Sequence, residues 1–169
     1  MYATRLALAL FSLCIAALPR AEVVSASDSH FVVRQQAHSS LPADALWERL
    51  VHPARWWNPA HSYSGEATAL SLEPRAGGLW LEEWPGGSVA HGQVITIMPG
   101  KLLRLDAPFG PLQSLGAHTV WTISLAAAEG GTTVTFHETA VAPPGSGMEA
   151  IAAAVDQVKT EAIGRLVAP

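Results

Sequence analysis

The sequence predicts an α+β domain in which an antiparallel sheet packs against one long C-terminal helix. Three observations support this prediction. Short apolar runs over about a hundred residues are separated by Gly- and Pro-containing turns, and residues 118–139 alternate like a hairpin around Glu129-Gly130-Gly131. Met148–Val167 then carries apolar residues three and four positions apart. That spacing forms one stripe on a helix roughly 30 Å long, enough to cross a small sheet.

The N-terminus predicts a secretory signal. Arg5 is followed by an apolar run over residues 6–18, which is short for a bilayer span and has the length of a signal-peptide core. The small residues ending at Ala26 offer a cleavage site, with a cut after Ala21 as the alternative. An uncleaved membrane anchor is the competing interpretation. After cleavage we expect a periplasmic or secreted protein without stable membrane insertion.

We therefore expect a signal peptide over residues 1–26 and a single domain over residues 27–169. The chain is 49% hydrophobic and 14% charged, which suits one domain with a substantial core. Cleavage removes Cys14, the only cysteine, and so excludes disulfides. It also removes two arginines and one glutamate, which moves the net charge from −4 to −5. The remaining arginines are scattered, which excludes nucleic-acid binding through a concentrated basic patch.

The predicted elements follow in a simple order. Residues 31–37 form a first strand, and Pro42 and Asp44 mark the start of a short helix. The apolar face of this helix consists of Leu46, Trp47, Leu50 and Val51. Further strands are expected over residues 67–72, 79–84, 88–98, 102–107, 118–126 and 132–139. The sheet thus has about six to seven strands.

One strand carries an unusual pattern. Trp80, Glu82 and Trp84 must share a face, so a carboxylate lies between two indoles. If Glu82 faces the interior, loss of water is expected to raise its pKa and make it a proton donor or ligand anchor. His91, one strand along, lies within reach at about 5 Å. The alternative is that Glu82 reaches the rim of the sheet and pairs with Arg75 or Arg104.

Several segments resemble, in their order, the START-related proteins of the SRPBCC superfamily. They are Trp-Glu-Arg-Leu-Val-His-Pro-Ala-Arg-Trp-Trp at residues 47–57, Gly-Gly-Leu-Trp-Leu-Glu at 77–82, His-Gly-Gln-Val-Ile-Thr-Ile-Met-Pro-Gly-Lys-Leu-Leu-Arg at 91–104 and Gly-Thr-Thr-Val-Thr-Phe at 131–136. With the terminal helix, the resemblance covers most of residues 31–167. It implies a helix-grip fold, in which a curved antiparallel sheet wraps around the long helix and leaves an apolar cavity.

The superfamily includes lipid carriers, the birch-pollen allergen group, polyketide cyclases and dehydrases, and activators of the heat-shock ATPase. The resemblance therefore implies a fold more than a chemistry, and no catalytic motif carries over. A small hydrophobic molecule or lipid is the expected partner, and a protein partner is left open. The expected ligand-binding residues are aromatic or polar and either face the helix or border the cavity mouth: Tyr63, Trp80, Glu82, Trp84, His91, Phe109, Trp121 and Phe136. Of the other tryptophans, Trp47 and one of Trp56 and Trp57 are expected in the core.

Metal and nucleophile chemistry find little support. The chain has no Gly-x-Ser-x-Gly turn and no His-x-His or His-x-x-x-His spacing. His61, Glu82 and His91 form the one conceivable metal set, and neither a metal nor another cofactor is expected.

Three functions remain open. The favoured one is non-covalent binding of a small hydrophobic or aromatic molecule, because the chain offers much apolar lining and few paired titratable groups. The second is a cyclase- or dehydratase-type enzyme, with Glu82 or His91 as the candidate general acid or base. The third is an interaction protein whose own side chains fill the core and which exposes an apolar patch.

Overall fold

The computed structural model describes residues 20–169, so the predicted signal-peptide core and Cys14 lie outside the described residues. Within that range, eight strands form one sheet. They are β1 (Arg20–Ser27), β2 (His30–Ser39), β3 (Leu70–Leu72), β4 (Leu79–Trp84), β5 (Gly87–Met98), β6 (Leu102–Asp106), β7 (His118–Ala128) and β8 (Gly131–Val141). Their order is β1-β2-β8-β7-β6-β5-β4-β3, and every neighbouring pair is antiparallel.

Three helices accompany the sheet: α1 (Ala43–Leu50), the single turn α2 (Pro111–Ser114) and the long α3 (Met148–Val167). Short 3₁₀ turns lie at Pro53–Arg55, Pro59–His61 and Ala67–Ala69. In this part of the chain, no helix combines the length and apolarity needed to cross a bilayer. The open, curved antiparallel sheet with its long C-terminal helix confirms the predicted α+β helix-grip fold.

Some elements differ from their predicted extents. Residues 67–72 were expected to be one strand, but the first three form a 3₁₀ turn and only Leu70–Leu72 pairs with β4. The short helix α2 was not expected. Neither was β1, which pairs with β2 from Arg20 opposite Gln36 to Ser27 opposite His30. The sheet consequently has one edge strand more than the alternation pattern indicated.

Helix α3 is packed into the core at both of its ends. Near its C-terminus, Ala162, Ile163 and Leu166 belong to a large apolar cluster with α1 and the inner face of the sheet. Near its start, Met148 and Ala152 belong to a second cluster with residues of β2 and β8. Three other residues of the predicted stripe are only half-buried: Ile151, beside Ala152, and Val155 and Val158, which lie between the two ends. The middle of α3 therefore stands beside space that the core does not fill.

A β-bulge on β5 directs His91 inward. Trp80 of β4 pairs with Gly92 and Leu81 pairs with Ala90, which leaves His91 as the extra residue. Gly92 allows β5 to approach the end of β6 closely, because a Cβ on this residue would lie 2.5 Å from the Cβ of Ala107. As a result, His91 and Gly92 both face the interior, and His91 is only 2% exposed.

Candidate ligand-binding site

A cavity of about 390 Å³ lies between the middle of α3, the loop after the second 3₁₀ turn and the segment that contains α2. Its volume falls in the range of roughly 300–1,000 Å³ that is typical of small-molecule sites. Most of its surface is apolar. It is lined by Trp57, His61, Ser62, Tyr63, His91, Phe109, Gly110, Pro111, Leu112, Glu138, Ile151, Ala154, Val155, Val158 and Lys159.

Three of the eight predicted ligand-binding residues line this cavity, namely Tyr63, His91 and Phe109. Tyr63 is 56% exposed and lies on the loop of residues 61–65, here called the mouth loop. Phe109 stacks on the imidazole of His91, with ring centroids 5.1 Å apart and planes 15° apart. The structure thus brings these three residues to one place, although they come from separate loops and a strand.

Trp80, Trp121 and Phe136, which were predicted to bind the ligand, do not line this cavity. All three are fully buried, and they form a layer against the sheet that Trp57 and Phe109 cover. The ring centroids of Trp57 and Trp80 are 5.5 Å apart, and those of Phe109 and Trp121 are 5.8 Å apart. These aromatic rings leave no room for a ligand at the floor of the sheet.

Trp84 and Trp57 also lie elsewhere than expected. Trp84 stacks on Tyr63, with centroids 6.2 Å apart, and is not a lining residue. Trp57 lines the cavity, which the sequence analysis did not predict. Trp56 and Trp57 are both buried, where only one was expected, because each indole N–H finds a carbonyl: that of Leu50 for Trp56 and that of His61 for Trp57.

Glu82 lies behind the mouth loop, fully buried, and is not itself a lining residue. Its carboxylate accepts hydrogen bonds from the backbone N–H groups of Tyr63 at 3.1 Å and Ser64 at 2.5 Å. A third comes from Nε2 of His91 at 2.8 Å. The two alternative partners have other bonds, since Arg75 pairs with Glu73 and Arg104 donates to Thr122.

The expectation of a raised pKa at Glu82 is wrong. Burial alone raises the pKa of this carboxyl, but hydrogen bonds from Ser64, Tyr63 and His91 outweigh burial and hold the pKa below its ordinary value of 4.5. Glu82 is therefore a carboxylate at neutral pH and has no proton to donate. Its role is to hold the mouth loop and to orient His91.

His91 is neutral at neutral pH. Burial lowers its pKa below the ordinary 6.5, and this effect outweighs the attraction of Glu82, while the positive charge of Lys159 lowers the pKa further. In the neutral ring, Nε2 carries the hydrogen and donates the hydrogen bond to the Glu82 carboxylate. Nδ1 therefore has no hydrogen and is an acceptor. Nδ1 has no hydrogen-bond partner among the described residues. The cavity wall consequently contains one oriented, unpaired basic nitrogen, which is buried.

A second buried polar pair was missed by the sequence analysis. Lys159 of α3 and Glu138 of β8 both line the cavity and are 2% and 1% exposed. Lys159 Nζ lies 3.0 Å from Glu138 Oε2 and 3.0 Å from the ring centroid of Trp121. The sequence of β8 could have predicted that Glu138 is buried. Side chains alternate along a strand, and Glu138 lies on the same inward face as Val134 and Phe136. On α3, Lys159 sits seven residues after the buried Ala152, on the face that the core occupies.

The conceivable metal set does not assemble. His61 lies 3.0 Å from Glu161 of α3 rather than beside Glu82 and His91. Asn58 also donates to Glu161, which fixes the segment before the mouth loop against the helix. Over residues 20–169, no group of three or more His, Cys, Asp and Glu side chains is arranged to hold a metal ion.

The role of Glu82 predicts an acid-sensitive mouth loop. Glu82→Gln replaces one acceptor oxygen with a donor that faces the loop N–H groups, and we expect it to lower the free energy of unfolding at pH 7 by about 1–3 kcal/mol. Because folding lowers the pKa of Glu82, its contribution is present above pH 4.5 and is lost as the pH falls below that value. The variant should therefore show a flatter loss of stability below pH 4.5 in urea unfolding.

Glu83→Gln is the matched control for this prediction, since Glu83 is the next residue of β4 and is exposed. It should reproduce the stability of the parent protein at each pH. The assigned role would be contradicted if the free energies of unfolding of the parent protein and of Glu82→Gln fell in parallel below pH 4.5.

Comparisons with known proteins support the fold. No protein-family model matches the chain. No curated protein matches it significantly. Among solved structures, a protein from Rhodobacter sphaeroides has a TM-score of 0.56 and 23% identity, over 88% of this chain and 96% of that one.

Two further structures have similar scores. DynU16, described as a protein in the dynemicin biosynthetic locus, has a TM-score of 0.57 and 21% identity, over 84% of this chain and 46% of its own. CalU16 from Micromonospora echinospora has a TM-score of 0.52 and 18% identity, over 88% of this chain and 79% of its own. These likenesses show a shared fold.

Proposed function

We propose that this protein binds a small molecule with a flat apolar or aromatic body in the cavity beside α3. The observation that carries the proposal is an open, mainly apolar cavity of about 390 Å³ whose polar atoms are few and buried in its wall. This composition is typical of sites that take up most of a ligand by apolar burial. An unfilled cavity also speaks against the alternative of a core closed by its own side chains.

The walls suit a flat ligand. Trp57 and Phe109 are near-parallel, with centroids 5.3 Å apart and planes 27° apart, and they present aromatic surface to the cavity. Ile151, Val155 and Val158 supply the aliphatic side from α3. Burial of apolar ligand surface contributes about 25 cal/mol per Å², from which the cost of ordering the ligand is subtracted. Nδ1 of His91 accepts a hydrogen bond from the ligand and fixes its orientation.

A cavity-filling substitution tests the proposal. Val155→Phe places a ring in the cavity and is expected to weaken binding of the fluorescent probe anilinonaphthalene sulfonate at least tenfold. Natively purified protein should also release a stoichiometric apolar compound on denaturation, as detected by mass spectrometry. The matched control is Ala153→Phe, two residues earlier on the exposed side of α3 and outside the cavity lining. The proposal would be overturned if denaturation released no apolar compound and the parent protein also bound no fluorescent probe.

A second candidate function is catalysis of the cyclase or dehydratase type. A neutral imidazole, oriented by a carboxylate and with its other nitrogen unpaired, is the arrangement of a general base. His91 then removes a proton from a carbon next to a ligand carbonyl, and Glu82 acts as a positioning residue. The shared fold with DynU16, a protein of a biosynthetic locus, makes this chemistry worth testing.

The catalytic candidate predicts proton exchange. In deuterium oxide, the parent protein should accelerate deuterium uptake next to the carbonyl of a bound aromatic ketone by at least about 100-fold, as general-base catalysis does. His91→Asn should abolish this exchange, measured by NMR, while the ketone still displaces the fluorescent probe. Binding without exchange above the buffer rate would remove the catalytic candidate and leave the binding function intact.

We propose export to the periplasm or outside the cell, with cleavage after Ala21 rather than Ala26. A cut after Ala26 would delete nearly all of β1 and leave the edge of β2 unpaired, whereas a cut after Ala21 retains the pairing from Glu22 onward. The exported protein is therefore expected to begin at Glu22. Mass spectrometry of the intact protein from periplasm or medium measures this, and a start at Ser27 or an unprocessed N-terminus would contradict it.

A further inference from the structure

The chain contains two lysines in very different surroundings. Lys101 is exposed in the turn between β5 and β6. Lys159 is buried on α3 and forms part of the cavity wall. Lysine is seldom buried, because its charge is costly to remove from water. The position of Lys159 therefore calls for an explanation beyond packing.

The surroundings of Lys159 are mainly aromatic. Its Nζ lies 3.0 Å from the ring centroid of Trp121 and 4.7 Å from that of Phe109. The nearby charge is Glu138, at 3.0 Å, but the pair lacks the geometry of a regular hydrogen bond, and no other polar partner bonds Nζ among residues 20–169. Glu138 is also a lining residue. An amine and a carboxylate thus lie side by side, buried in the wall of the cavity.

We propose that Lys159 forms a reversible imine with an aldehyde or ketone group of the molecule that occupies the cavity. A buried amine beside a carboxylate in an apolar, ligand-sized space is the setting in which lysines react as nucleophiles. This inference rests on the proposed binding function, because the carbonyl group must first enter the cavity.

The reaction balances with the groups present. Glu138 takes a proton from the ammonium, and the nitrogen lone pair then attacks the carbonyl carbon. The carbon–nitrogen bond forms as the carbonyl π electrons pass to oxygen, which takes from Glu138 the proton that came from the ammonium. Glu138 then removes a second proton from nitrogen and delivers it to the new hydroxyl group, which leaves as water while the nitrogen lone pair forms the C=N bond. The ammonium and the carbonyl thus yield a protonated imine and one water. Addition of water reverses the sequence and releases the ligand.

The acid–base state of Lys159 supports this chemistry. Burial lowers its pKa from 10.5 to about 8, and the attraction of Glu138 opposes a larger fall. An appreciable fraction of the amine is consequently neutral near pH 8. Stability is a weak explanation for the pair, since buried ion pairs often contribute no more than apolar residues of similar volume.

Reductive trapping tests the proposal on the whole protein. The parent protein is incubated at pH 7.5 with 2-naphthaldehyde and sodium cyanoborohydride, which reduces the imine to a stable secondary amine. Intact-mass and peptide mass spectrometry then give the extent of modification at each lysine. We expect Lys159 to be modified at least tenfold faster than Lys101, even though Lys101 is exposed and Lys159 is buried.

Three variants separate specific reaction from general labelling. Lys159→Arg keeps a cation for Glu138 and should lose the fast adduct, whereas Lys101→Arg should retain it. Val155→Phe, which obstructs the cavity, should slow modification of Lys159 at least tenfold without changing that of Lys101. Circular dichroism and urea unfolding identify any variant that does not fold, and the comparison of the two lysines in the parent protein stands without the variants.

The outcomes distinguish the two proposals. Displacement of anilinonaphthalene sulfonate by 2-naphthaldehyde without an adduct at Lys159 would overturn imine formation and leave ligand binding in place. Absence of both displacement and adduct would overturn both. Equal rates of modification at the two lysines would show general labelling and overturn the imine proposal. An adduct at Lys159 that forms as fast in Val155→Phe as in the parent protein would overturn it as well.

Discussion

The packing of α3 at both of its ends is the constraint on which the rest of the molecule depends. Ala162, Ile163 and Leu166 fix the C-terminal part in the large cluster, and Met148 and Ala152 fix the start in the smaller one. Because a helix is stiff, its middle cannot then sink toward the sheet. The space left beside that middle section becomes the cavity, bounded on the sheet side by indole and phenyl rings. The aromatic layer therefore determines the depth of the site, although Trp80, Trp121 and Phe136 do not line it.

The two buried carboxylates at this site are stabilised in opposite ways. Glu82 receives hydrogen bonds from two backbone amides and an imidazole, so its charge is well accommodated and it can act as a fixed structural group. Glu138 has one cation, Lys159, in an imperfect geometry among aromatic rings. A charge with few bonds is more easily redirected toward a ligand than one with many. For this reason we assign the scaffold role to Glu82 and the reactive role to the Lys159–Glu138 pair.

The fold could be predicted from the sequence because its signals are local. The hairpin of β7 and β8 shows strict alternation, and α3 shows helical spacing over its full length. The site was harder to predict, because its main features depart from the alternation of strands and the spacing of helices. His91 faces inward through a bulge that no alternation rule indicates. The pKa of Glu82 depends on amides contributed from 18 and 19 residues earlier in the chain, an arrangement that only the folded structure creates.

The buried lysine shows a different limit of pattern reading. Apolar spacing on α3 identified the stripe that contains Ile151, Val155 and Val158, and these residues line the cavity. It did not identify Lys159, which lies deeper than any of them. A stripe reports which side of a helix avoids water, but it does not distinguish contact with a packed core from contact with a vacant pocket. A charged residue on that stripe is informative, because only a specific partner or a ligand compensates its loss of hydration. Charged residues that interrupt an apolar face are accordingly the positions from which to search for sites in domains of this fold.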